Sequence, residues 1–177
     1  MILDRSGDGD AIEVAEDGVT LLRYRPDTAA SKPFAGTVAL PPGAGEFAGR
    51  NLVLAGPHDH AWHLGLFFCG KLIDGINCWE SEPAAAAGRL HGHALDRGHE
   101  TRETEGAVTV EHEVVWETSE SEALLGEDRS ITVNAPGTVG PDDGYLIEWE
   151  TILRARGHER RLGSESLHGH YSGLSAR

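Results

Sequence analysis

Cysteine, positive charge and long apolar runs are all scarce in this chain of 177 residues, and each scarcity excludes something. The two cysteines, Cys69 and Cys78, form neither a CxxC motif nor a disulfide framework. Both sit among apolar neighbours, the setting of packed thiols rather than nucleophiles, and a reducing cytoplasm is the expected location. Lys and Arg number 15 against 29 Asp and Glu, a net charge of −14. Nucleic acid and anionic membrane surfaces are thereby excluded as partners, because both need clustered cations. No apolar run approaches the roughly 20 residues that span a bilayer. The first residues, Met1-Ile2-Leu3-Asp4-Arg5-Ser6, lack the basic start and apolar core of a signal peptide. There is also no Gly-rich phosphate loop, no G-x-S-x-G elbow and no HExxH helix.

What remains is β-patterned throughout. Residues 11–16 and 19–25 alternate in polarity and flank Asp17-Gly18, a two-residue hairpin signal. Residues 34–40 and the short apolar run 64–69 read as further strands. In 108–118 one face carries Val108, Val110, His112, Val114 and Trp116; in 145–155 it carries Tyr145, Ile147, Trp149, Thr151 and Leu153. A short strand is expected at 129–134, and Asp142-Asp143-Gly144 marks a turn. The low-complexity patch 84–87 is too short for a helix of its own. Many short strands with Gly-rich turns predict an all-β fold, an antiparallel β-sandwich forming a single domain over 1–177. Residues 167–177 read as a strand that stops without a polar tail. The expectation is therefore a domain truncated at its C-terminal end, with a sheet edge that a second copy could pair in a homodimer.

Histidine is the abundant chemistry. Of ten histidines, three fall within Gly56-Pro57-His58-Asp59-His60-Ala61-Trp62-His63, and two further His-x-His pairs occur at His91/His93 and His168/His170. Imidazoles two apart share a strand face, the first half of many transition-metal sites. As metal ligands, His58, His60 and His63 would favour a divalent Zn, Fe, Cu or Ni, with Asp59 or Glu80 as a carboxylate ligand or an orienting acceptor. Without a metal the same residues are hydrogen-bonded groups lining a polar cleft. A cupin is a poor match, because Leu64 and Gly65 stand where its first motif needs Glu and Gly. Trp62 is either a platform for sugar CH faces or core; core is the expectation for Trp79, Trp116 and Trp149. His112 is expected as a hydrogen-bonded core histidine, and His99 and His158 as exposed. Glu127 and Arg129 share a face, either as a buried ion pair or as part of an anion or hydroxyl clamp with Arg177.

Several blocks resemble, in order, those of a bacterial family labelled methane oxygenase PmoA and otherwise of unknown function. They are Asp59-His60-Ala61-Trp62-His63-Leu64-Gly65-Leu66, Asp74-Gly75-Ile76-Asn77-Cys78-Trp79, Gly88-Arg89-Leu90-His91, Leu125-Gly126-Glu127-Asp128-Arg129, Ile147-Glu148-Trp149-Glu150 and Tyr171-Ser172-Gly173-Leu174-Ser175-Ala176-Arg177. Ala61 departs from the usual proline and Cys78 from the usual phenylalanine. The resemblance covers essentially the whole chain, and members continue past the position of Arg177. It implies a soluble protein unlike the membrane methane monooxygenase subunit of that name, a setting in sugar catabolism, and a sandwich broadly similar to the galactose-mutarotase supersandwich.

These readings converge on an enzyme acting on a sugar or sugar derivative in a histidine-lined cleft, with the reaction type open. His60, His63 and His170 are the candidate catalytic groups; His58, Asp59, Trp62, His91, Arg129 and Arg177 are the candidate binding groups. The alternatives are a non-catalytic carbohydrate-binding or accessory module, or a metal-binding β-sandwich.

Overall fold

The computed structural model describes residues 2–4, 11–26, 31–58, 61–80, 89–135, 144–164 and 172–177. Its first strands are β1 (Ile2–Asp4), β2 (Ile12–Glu16), β3 (Val19–Arg25) and β4 (Phe34–Val38), followed by a short 3₁₀ helix at Pro42–Phe47. Then come β5 (Leu66–Gly70), β6 (Leu72–Ile73), β7 (Ile76–Asn77), β8 (Gly92–Thr104), β9 (Ala107–Thr118) and β10 (Ala123–Asn134). The last are β11 (Leu146–Ala155), β12 (Leu162–Gly163) and β13 (Ser172–Ala176). A six-stranded sheet in the order β1-β2-β3-β4-β5-β13 and a four-stranded sheet in the order β11-β10-β9-β8 form a sandwich-like pair; β12-β6-β7 make a third, small sheet. Among the described residues every ladder between these strands is antiparallel, and one isolated parallel bridge joins Asn77 to His91. No helix among the described residues is long and apolar enough to cross a membrane.

The hairpin expected at Asp17-Gly18 is present. Both turn residues have positive φ, +47° and +78°, as a tight turn matched to strand twist requires. The alternation in β9 also holds: Val108, Val110, His112, Val114 and Trp116 are all buried. With Ile131 and Val133 of β10, the first two pack against Ile12, Val14, Leu21, Leu22 and Tyr24 of the facing sheet. A second apolar cluster joins Phe67 and Cys69 to Trp79, Trp116, Leu124 and Leu125.

One expectation is corrected and one strand went unforeseen. The strand foreseen at 129–134 is the second half of the longer β10. Its first half hides its period because Leu124 to Glu127 are buried in succession, next to a bulge between Ala123 and Leu125. β8 had no sequence signal, since it is polar along much of its length and shifts register between Asp96 and Gly98. The expected strand at 167–177 is β13; residues 165–171, the Ala-rich patch 84–87 and the Asp142-Asp143 turn lie outside the described residues.

Candidate functional site

His63 enters the structure at the end of a loop closed on itself by the Gly56 N–H bonding to the His63 carbonyl at 2.7 Å and by a bridge between Ala55 and Leu64. Gly65 then turns the chain into β5. Its φ is +82°, and a Cβ there would stand 2.4 Å from the Ala35 carbonyl oxygen, so only glycine fits. Substitution of Gly65 by alanine should cost about 2 kcal/mol in urea denaturation, from the left-handed backbone and the overpacking together. A cost indistinguishable from zero would mean that β4 yields and the close approach is unimportant.

The antiparallel register of β13 on β5 pairs Ala176 with Leu66. It thereby sets Arg177 beside Gly65, whose carbonyl accepts the Arg177 N–H at 3.2 Å. The Arg177 side chain reaches back over His63, and its Nη1 lies 2.7 Å from His63 Nδ1. A guanidinium can only donate, so Nδ1 is the acceptor and Nε2 carries the imidazole hydrogen. Both residues line a cleft of about 220 Å³ with Phe67, Trp79, Ser175 and Ala176. Trp79 meets the His63 ring edge-on at 6.1 Å and the Phe67 ring at 5.1 Å, and Trp62 meets His63 edge-on at 6.2 Å.

The aromatic wall is held from behind by two buried lysines. Lys32, 0% exposed, donates from Nζ to the Trp79 carbonyl at 2.8 Å and to Ser31 Oγ at 3.2 Å, and it lies 5.4 Å from the centre of the Phe67 ring. Lys71, 1% exposed, ion-pairs with Glu80, whose Oε2 also accepts from Asn77 Nδ2 at 2.7 Å. Asn77 Oδ1 accepts the Trp79 and Glu80 N–H groups at 2.9 and 3.2 Å, which clips the backbone of the wall in place. Burial works to raise the Glu80 carboxyl; the Lys71 and Asn77 hydrogen bonds overcome it and hold the group below the usual carboxylate range. Sequence reasoning missed both lysines and Asn77. The available signal was Lys71 itself, a cation set between the run Leu66-Phe67-Phe68-Cys69-Gly70 and Leu72-Ile73.

Of the other candidates, Asp59, His60 and His170 lie outside the described residues. His58 is exposed. His91 is half-buried, with Nδ1 donating to the Arg89 carbonyl at 3.0 Å. Arg129 lies elsewhere, in the sandwich interior. It is 1% exposed, bonded through Nε to Glu127 Oε1 at 2.7 Å, through Nη1 to Tyr24 Oη at 2.8 Å, and set 4.9 Å from the Trp149 ring. Glu127, 0% exposed, also accepts from Trp116 Nε1 at 2.8 Å and Thr151 Oγ1 at 3.2 Å. Beyond Tyr24 the chain runs to His112 Nδ1 at 2.7 Å and from His112 Nε2 to Asp96 Oδ1 at 3.0 Å. Of the Glu127–Arg129 alternatives left open by the sequence, the geometry is that of the buried ion pair. Cys69 and Cys78 are buried too, and burial pushes the Cys69 thiol up to about 11 and the Cys78 thiol up as well.

Of the candidate metal ligands His58, His60 and His63, His60 lies outside the described residues. Among the described residues no three His, Cys, Asp or Glu side chains gather as a metal site requires. The Nδ1 lone pair of His63 is used by Arg177 and its Nε2 is protonated, so this imidazole ligates only if Arg177 withdraws.

Residues 11–177 match the model of a family described as a family of unknown function (DUF6807). No curated protein and no solved structure matches the chain.

Proposed function

The chain belongs to the DUF6807 family, whose function is unknown. From the cleft around His63 we propose an enzyme acting on a sugar or sugar derivative. We take this family to be the relationship behind the sequence resemblance described above, and the reading draws nothing from the methane-oxygenase label. The observation that carries it is the His63–Arg177 pair set against the Trp79 and Phe67 rings in one small cleft. Aromatic faces suit sugar CH groups, and a few convergent polar groups orient a small ligand. In this arrangement His63 offers a neutral imidazole N–H from Nε2. Its chemistry is then that of an electrophile, polarising a carbonyl or hydroxyl oxygen, because Arg177 opposes a second proton on Nδ1.

The second reading is a carbohydrate-binding module without turnover, for which the same rings and polar groups would serve.

The test is a panel of monosaccharides and their derivatives, followed by tryptophan fluorescence for binding and by proton NMR for conversion. His63→Ala should weaken binding at least tenfold and abolish any conversion. Binding without conversion in the wild type selects the module; no response to any sugar sinks both readings.

A further inference from the structure

We infer that the outer edge of β11 is a dimer interface, paired antiparallel with β11 of a second copy of this chain. The four-stranded sheet ends in two edge strands, β8 and β11, and only one of them is protected. In β8 the register shifts between Asp96 and Gly98, and Asp96 turns inward to His112; both are devices that blunt an edge. The ten residues of β11 include no proline, glycine or lysine and run in unbroken register with β10, their one ladder partner among the described residues. The strand is also incompletely covered. Ile152 is 46% exposed on its outer face, and Ile147, Trp149 and Leu153 of the inward row are only half-buried. Val133 and Ile131, which stand beside Ile147 and Trp149 on β10, are 0% exposed. An apolar row that outruns its cover in this way fits a sheet that continues past β11.

Backbone and side chains together specify the partner. The β10–β9 ladder runs on into the bond from the Ala135 N–H to the Gly106 carbonyl, and the β10–β11 ladder into that from the Arg156 N–H to the Leu124 carbonyl. By alternation the even-numbered residues of β11 bond to β10, while Trp149, Thr151, Leu153 and Ala155 direct their N–H and carbonyl groups to the outer edge. A twofold axis at Ile152 joins Thr151 to Leu153 and Trp149 to Ala155 of the second copy. On the outer face the same register sets Glu150 opposite Arg154, Glu148 opposite Arg156 and Ile152 opposite itself. Every charge then faces its opposite, and Arg154 keeps its existing partner Asp128 on the other side. A twofold moved to Glu150 would set that carboxylate against itself, and one at Thr151 would leave Glu150 facing Ile152. Two chains of −14 repel at long range, but at about 0.15 M salt the repulsion is screened beyond about 8 Å, and facing pairs lie within that distance.

Sedimentation equilibrium of the purified chain over a wide concentration range, at physiological salt, tests this. The mass should rise from 19.0 kDa to twice that value and no further, because a twofold contact closes on itself. Glu150→Arg and Arg154→Glu should each raise the dissociation constant by about tenfold or more, and the chain carrying both should return close to the wild type. Ile152→Lys should abolish the dimer, since a lysine on an edge strand opposes pairing. All three positions are exposed, so the variants should fold. A monomer at every concentration overturns the proposal. So does a dimer that none of these variants weakens, or a mass that keeps growing with concentration.

Discussion

Replacing Arg129 by methionine is expected to destabilise the protein by about 3–5 kcal/mol. Arg129 and Glu127 are both removed from water, and each is held by groups on other strands. Burial alone would push the guanidinium toward discharge; Tyr24 and Glu127 outweigh it and keep the group charged. With Arg129 gone, Glu127 becomes a buried carboxylate without a counter-charge, and Tyr24 loses its donor. The double variant Glu127→Leu/Arg129→Met should recover a substantial part of the loss, because replacing both partners removes the stranded charge. Urea denaturation of the three proteins measures this. A loss below about 1 kcal/mol for the single variant would show that the pair contributes little to holding the sheets together.

Acid should weaken the fold through His112. Its ring is buried beside Arg129, and both effects, burial first, lower its affinity for a proton against the opposing pull of Asp96. The result is a fall from 6.5 to about 4. The groups facing it are Tyr24, Asp96, Arg129 and His99. Because Arg129 donates to Tyr24 Oη, the tyrosine donates to His112 Nδ1 and the imidazole donates from Nε2 to Asp96. All hydrogens then point one way, and His112 is neutral in the native state. The unfolded chain takes up the proton more readily. Stability is therefore complete above pH 6.5, is lost progressively as the pH falls toward 4, and should drop by about 3 kcal/mol over that window. Denaturation midpoints across this range should slope in the wild type and flatten in His112→Gln. Equal slopes in the two proteins would refute the assignment.

The parts of the fold that could be read from sequence are those where period and burial agree. β9 alternates cleanly, and Asp17-Gly18 demands a turn, so both were legible. β10 was half legible, because its bulge buries consecutive residues, and β8 was not, because its polar residues spread over both faces. The site followed the same rule. His63 stood out by its neighbours, and Arg177 by its place in the last block. Their meeting depends on the register of β13 against β5, which no local pattern encodes. Trp79 was assigned to the core; it is 2% exposed and yet lines the cleft, a double role that composition does not reveal.

The two halves of the site are held by different elements. His63 sits in a loop tied to β5, whereas Arg177 arrives on β13, a five-residue strand at the end of the six-stranded order with Leu174 half exposed. A short strand paired on one side is where local opening is expected first, against the bonds that tie Arg177 to Gly65 and Leu54. Release of β13 alone would dismantle the cleft while the Tyr24–Arg129–Glu127 interior stays intact, so occupancy by the proposed ligand would be coupled to the closing of one strand. Amide hydrogens of 172–177 should exchange faster than those of β9, and a bound ligand should slow them more than any others in the molecule.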